Sequence, residues 1–129
     1  MARNIIDLPT LGDDGKLYRD TAVDMVESLI PNPWESCHAP DLLELENGDL
    51  LCCWFAGSSE GNADISIAVA RLPAGASQWE QPVIVSDDPT RSEQNPSLFQ
   101  NPNGDIWLMY TAQAAKKPDD NSDDSLQGT

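Results

Sequence analysis

At 129 residues the chain has room for one small core, and 22 Asp plus Glu against seven Lys plus Arg give a formal charge of −15 at pH 7. That balance argues against a nucleic-acid partner, which needs a basic surface. No apolar run approaches the roughly 18 residues of a membrane span, and the opening Met-Ala-Arg-Asn-Ile-Ile-Asp lacks the apolar stretch of a secretion signal.

The first thirty residues hold one strand candidate, Thr21–Val26. Asp41–Leu45 is then short and apolar-rich, and Glu46-Asn47-Gly48-Asp49 reads as a tight turn, because Asn-Gly tolerates the positive φ angles a hairpin demands. Leu50–Ala56 is a continuous apolar run too short for a helix, which fits a strand buried on both faces. In Asp64–Arg71 the alternation of Ile65, Ile67 and Val69 is the period-2 pattern of a half-buried strand. Pro82–Ser86 adds Val83-Ile84-Val85 before the stop at Asp87-Asp88-Pro89.

The chain then repeats itself. PDLLELENGDLLCCWF, from residue 40, returns fifty-six positions later as PSLFQNPNGDIWLMYT, from residue 96. From His38/Gln94 to Gly57/Gln113 the match needs no gap, and six of twenty pairs are identical: Pro40/Pro96, Leu42/Leu98, Asn47/Asn103, Gly48/Gly104, Asp49/Asp105 and Ala56/Ala112. Asn103-Gly104 is the second turn and Ile106–Ala112 the second buried strand. A fixed period of this kind marks solenoids, propellers and arrays. Four short strands per period, without a helix, make one antiparallel sheet per period, the blade of a β-propeller. The expected fold is all-β, a propeller represented by about one and a half to two four-stranded blades; two similar hairpins in a β-sandwich are the alternative. Residues 1–35 form an N-terminal segment whose strand could help close a ring, and 36–129 the partial propeller, with blade one at about 38–88 and an incomplete blade two at about 94–129. A propeller closes with at least four blades, so the chain is expected to be the N-terminal piece of a longer protein that supplies the rest.

Cys52 and Cys53 are strand neighbours and so point to opposite faces. Three cysteines cannot all pair with one another, and the reading is of free core thiols in a reducing, cytoplasmic compartment. Cys37-His38 lacks the second ligand pair of a zinc site, and Asp119, Asn121 and Asp123 open like a calcium loop but meet Asp124 where that loop needs glycine. Neither metal nor cofactor is expected.

The stretch HAPDLLELENGDLLCCWFAGSSEGNADISIAVARL, followed by SEQNPSLFQNPNGDIWLMYTAQ, resembles the sialidase-like (neuraminidase, BNR-repeat) β-propellers over about residues 36 to 129. The resemblance implies six four-stranded blades and an activity on terminal sugars of glycans. It also implies a site over the propeller axis, lined by the start of each inner strand and the loops nearby. Where the family carries its first substrate-gripping arginine this sequence has His38, and where a second commonly stands it has Ser58-Ser59. A carboxylate is held best by bidentate arginine forks, so these departures imply a divergent branch. By position Glu60 is the candidate acid, and His38, Asn95, Asp64 and Trp34 are candidate substrate contacts, Trp34 by stacking on a sugar. The tyrosine nucleophile of the family and its glutamate would follow Thr129. Trp54, Trp79 and Trp107 are expected to pack between sheets, and Arg91 and Glu93 to pair on the surface. The leading reading is an exo-acting glycoside hydrolase for terminal acidic sugars, inactive as 129 residues alone, with a glycan as its partner. The others are a non-catalytic glycan- or protein-binding propeller and a polysaccharide lyase on a related propeller.

Overall fold

The computed structural model describes residues 3–8 and 11–117. The calcium-like stretch from Asp119 lies outside them. All their regular structure is β, in nine strands: β1 (Ile6–Asp7), β2 (Tyr18–Asp20), β3 (Met25–Glu27), β4 (Ser36–Glu44), β5 (Leu50–Gly57), β6 (Ser66–Leu72), β7 (Val83–Ile84), β8 (Arg91–Gln100) and β9 (Ile106–Ala114). β4 to β7 form one four-stranded antiparallel sheet in sequence order, and β8 with β9 forms the hairpin that opens the next. This is the architecture of propeller blades.

The repeat in the letters is a repeat in the backbone. Leu42 pairs with Cys52 as Leu98 pairs with Leu108, and Glu44 with Leu50 as Gln100 with Ile106. Gly48 and Gly104 sit at φ 88° and 89°, the left-handed region that suits glycine. Each turn closes alike: the Leu45 amide donates to the Asp49 carbonyl at 2.8 Å and the Asn101 amide to the Asp105 carbonyl at 2.9 Å. The two aspartates then part company. The Asp49 side chain accepts from the Ala74 amide at 2.7 Å and from the Arg71 guanidinium, and these donors hold its carboxyl below the usual range. That stabilisation is present above the ordinary carboxylate pKa and is lost as pH falls through the lowered one. Asp105 instead takes the Asn101 amide group at 2.9 Å.

β5 is the central strand, and its residues split between two cores. Cys52, Trp54 and Ala56 pack with Ala68, Ala70 and Trp79 on one face, where Leu17, Ile5 and Ile30 of the N-terminal segment cover them. Leu51, Cys53 and Phe55 pack with Ile65, Ile67 and Leu98 on the other, against the β8–β9 hairpin. The neighbouring cysteines therefore face opposite ways, as the strand period requires. Burial pushes both thiols up to about 11, while Cys37 is exposed. A native thiol titration is expected to label Cys37 alone within minutes and all three cysteines in denaturant. Fast labelling of two or three without denaturant would contradict this packing.

Several expectations change. Thr21–Val26 is not one strand: β2 and β3 flank a turn in which the Asp20 carboxylate accepts from the Ala22 amide at 2.9 Å and Asp24 takes φ 49°. β4 begins at Ser36, five residues before the expected start, and β6 at Ser66 rather than Asp64. The small β1–β2–β3 sheet is tied to the blade through the Arg3 guanidinium, which donates to the carbonyls of Pro73 (3.0 Å) and Ala76 (2.8 Å). Trp54 and Trp79 are buried as expected, but Trp107 is 52% exposed. Leu98 and Leu108 take the face of the hairpin turned to the first blade, so Trp107 stands on the opposite face, stacked on Phe99 at 5.8 Å.

Arg91 and Glu93 do not pair with each other. Arg91 lies 3.8 Å from Asp88, whereas Glu93 is 2% exposed and accepts from the Ser86 hydroxyl. Residues two apart on a strand share a face, yet an exposed end and a buried middle leave them in different surroundings.

Candidate functional site

Both hairpins carry the same irregularity at the same place. In β4, Ala39 and Pro40 together oppose the single residue Trp54, and in β8, Asn95 and Pro96 oppose Tyr110. Each pair is a β-bulge, which bends the strand and re-aims the side chains beside it. Proline fits there because it has no amide hydrogen to offer the ladder. The preceding residue is left-handed in both, Ala39 at φ 54° and Asn95 at φ 51°. Asparagine tolerates this conformation, but alanine there costs about 1–2 kcal/mol. Strain of that kind gathers at functional sites, where the surrounding structure holds it. It lies next to His38.

The His38 ring sits on Phe55, with centroids 5.3 Å apart and planes tilted by 36°. Its Nε2 is 3.2 Å from the Ser36 hydroxyl and 4.0 Å from Glu60 Oε2. The two side chains are 50% and 46% exposed, so both reach solvent and neither is sealed in the core. An exposed pair of this type contributes less than about 1 kcal/mol to stability, so folding alone does not account for the pairing.

The loop carrying Glu60 is built for a fixed course. The Asp64 carboxylate accepts from the Ser58 amide at 3.2 Å and the Ser58 hydroxyl at 3.0 Å, and Asn62 donates to the same hydroxyl at 3.0 Å. At the strand end, a Cβ on Gly57 would come within 2.8 Å of the Asp64 carbonyl oxygen, so only glycine fits. On its far side the loop is clipped to the second hairpin by the Lys116 amide, which donates to the Gly61 carbonyl at 2.7 Å.

Of the five residues expected at the site, the fold brings His38 and Glu60 together. Asp64 spends its carboxylate on closing the Glu60 loop. Trp34 is half-buried and meets Trp54 edge-on, with centroids 6.4 Å apart. Asn95 is exposed at the second bulge and makes no hydrogen bond or ion pair with His38 or Glu60. Ser36, Phe55 and Lys116 were missed. The signal for Ser36 was available, since residues two apart on a strand share a face; Phe55 reaches the site by pairing with His38 across β4 and β5, and Lys116 by its bond to the loop at Gly61. Cys37 Sγ accepts from the Asn32 side-chain amide at 3.1 Å.

Comparison with known protein families matches residues 48–125 to the BNR repeat-like domain. No curated protein and no solved structure matches the chain. The matched segment covers most of the chain and includes the second of the two repeated hairpins, and the strands observed are those of propeller blades. The chain belongs to the BNR repeat-like domain family.

Proposed function

We propose that the protein processes glycans as a sialidase-like propeller, with Glu60 as general acid and His38 as a substrate contact in the hydrolysis of a terminal, acidic sugar. The observation that carries this reading is the approach of Glu60 Oε2 to His38 Nε2, 4.0 Å, on a solvent-facing ledge next to a strained bulge. A glycosidase acid must reach the leaving oxygen from a fixed position. The Ser58–Asp64 bonds and the Gly61–Lys116 clip provide the fixity, and exposure provides the reach. The imidazole can donate to a ring hydroxyl while Glu60 gives up its proton, and Asn95 and Trp34 stay in this reading as substrate contacts on the family resemblance alone.

The partners in this reading are a glycan and further blades of the same fold. Leu43, Leu51, Cys53 and Phe55 on blade one pack toward the second hairpin, and their counterparts fifty-six residues on are Phe99, Trp107, Met109 and Thr111. Phe99, Trp107 and Met109 are 40%, 52% and 54% exposed. The outer face of the second hairpin thus has the apolar character of one that a third copy would cover.

The test is sugar release from sialosides and uronic-acid oligosaccharides by the protein as its gene encodes it. Glu60→Gln is expected to lower kcat by at least about 100-fold while ligand affinity stays within about twofold. Unchanged turnover would remove Glu60 from the reaction. Binding without release in the wild type would favour a non-catalytic glycan-binding propeller.

A further inference from the structure

The two Asn-Gly turns share a sequence and a backbone, and differ in what holds them. The turn between β4 and β5 is tied to distant parts of the chain. The Asp49 carboxylate takes the Arg71 guanidinium and, at 2.7 Å, the Ala74 amide, and the Arg3 guanidinium reaches the Gly48 carbonyl at 3.4 Å. The turn between β8 and β9 is closed from within residues 100–105. Gln100 Nε2 donates to the Gly104 carbonyl at 3.1 Å and Asn101 Nδ2 to the Asp105 carboxylate at 2.9 Å. Asn101 Oδ1 accepts from the amides of Asn103 at 3.0 Å and Asp105 at 2.9 Å. Gln100 alone reaches the first turn, accepting from the Glu46 amide.

The two asparagines differ in the same way. Asn47 Oδ1 accepts from the Asp49 amide at 2.9 Å, whereas the Asn103 side chain has no hydrogen bond among the described residues. A Cβ on Gly48 would meet Ala74 Cβ at 3.4 Å, but on Gly104 it would find only the end of the Gln100 side chain, at 3.9 Å. Asp49 is buried and Asp105 exposed. The sequence does not repeat the anchor either, because fifty-six residues after Arg71 stands Gln127.

An asparagine followed by glycine is prone to cyclise, since no Cβ shields the glycine nitrogen. Asn95 and Asn101 in the same hairpin precede proline, whose nitrogen carries no hydrogen to lose. In both turns the glycine amide is bonded, Gly48 to the Leu45 carbonyl and Gly104 to the Asn101 carbonyl, each at 2.9 Å. Reaction therefore waits on a local opening. Opening the first turn must release Arg3, Arg71 and Ala74, while opening the second breaks only exposed bonds between near neighbours, the kind that open at the least free energy.

We infer that Asn103 is a site of spontaneous deamidation, and that the contacts of blade one protect Asn47 from the same reaction. The Gly104 nitrogen attacks Asn103 Cγ, the new N–C bond closes a succinimide, and the carboxamide nitrogen leaves as ammonia, taking the glycine amide proton. Water then adds to either carbonyl of the ring and one of its C–N bonds breaks, giving aspartate or isoaspartate. In sum one water enters and one ammonia leaves. The turn gains a negative charge near Asp105 and, in isoaspartate, one more backbone carbon. The inference stands apart from the glycan reading.

The experiment incubates the full-length protein at mildly alkaline pH, native and again in urea, and follows each asparagine by peptide mass spectrometry. In the native protein Asn103 is expected to convert at least about fivefold faster than Asn47, because its opening is local. In urea the two rates should agree within about twofold, since both sites then present the same Asn-Gly-Asp with no fold to separate them. Arg71→Ala cuts the anchor of Asp49 and is expected to raise the native Asn47 rate at least about threefold while leaving Asn103 unchanged. Should that variant fail to fold, the ratio of native to urea rates at each asparagine in the wild type reads the same protection. No native conversion at Asn103, equal native rates, a difference that persists in urea, or an Asn47 rate unmoved in folded Arg71→Ala would overturn the inference.

Discussion

Replacing Phe55 by alanine is expected to cost about 3–5 kcal/mol of folding stability, the range for truncating a buried aromatic in a close-packed core. Phe55 is 2% exposed, in the cluster formed with Leu51, Cys53, Ile65, Ile67 and Leu98 where blade one meets the second hairpin. Few neighbours can move into the space it would leave, since Ile65 and Ile67 are themselves fully buried on paired backbone. The same ring supports His38 at 5.3 Å, so the substitution should also loosen the His38–Glu60 geometry. Phe55→Leu separates the two effects. It keeps most of the buried volume, so its stability cost should stay below about 1.5 kcal/mol, yet it removes the flat platform under the imidazole. Urea denaturation with an unchanged m-value reads the stability, and ligand affinity reads the platform. A loss under about 1 kcal/mol for Phe55→Ala would mean that the hairpin and the blade do not pack as described.

The second large effect is expected at Ser86. The Ile67 amide donates to Ser86 Oγ at 2.8 Å, and the Ser86 hydroxyl donates in turn to the Glu93 carboxylate. One hydroxyl thus joins β6 to β8 through the segment after β7, and the Glu93 amide adds a bond to the Ile65 carbonyl at 3.0 Å. Glu93 also faces Tyr110, whose phenol is pushed above its usual value by burial first and by this carboxylate next. Ser86→Ala strips one donor from a carboxylate with almost no access to water and leaves the Ile67 amide unpaired. The expected loss is about 2–4 kcal/mol, because each orphaned buried group brings its own desolvation cost. A double substitution with Glu93→Leu should recover a large part of it, since what hurts is the stranded carboxylate rather than the missing contact. Losses in the two single variants that simply add in the double would refute that coupling.

The two residues differ in how visible they were beforehand. Phe55 lies in the apolar run of Leu50–Ala56, and its burial was legible from that run alone. Glu93 reads as a surface partner for Arg91, because nothing in the neighbouring residues marks an acid that a serine seven positions earlier meets in the core. The same contrast holds at the candidate site. His38 could be singled out by its place in the repeated pattern and in the family resemblance, and Glu60 by its place in the resemblance alone, while their approach to 4.0 Å depends on the course of the loop after β5. Trp107 occupies the position of Leu51 in the repeat, and its exposure follows from the face it was dealt, with no sheet covering that side among the described residues.

What the sequence by itself determined is the repeated hairpin, with its strand period and Asn-Gly turn, twice, fifty-six residues apart; the buried second strand expected in both copies holds for β5, whereas β9 is largely exposed among the described residues. The period and the turn are local properties, set by each residue's own backbone preferences and by the alternation of side chains along a strand, so nearby letters suffice to read them. Only the tertiary structure decided which acids are buried, that Ala39 carries left-handed strain, and that Thr21–Val26 splits around a turn. Apart from the local turn at Asp20 and Ala22, those outcomes depend on strands pairing and packing, as where the Glu93 amide donates to the Ile65 carbonyl. Such contacts form only when whole sheets pack, and no short stretch of sequence contains both partners.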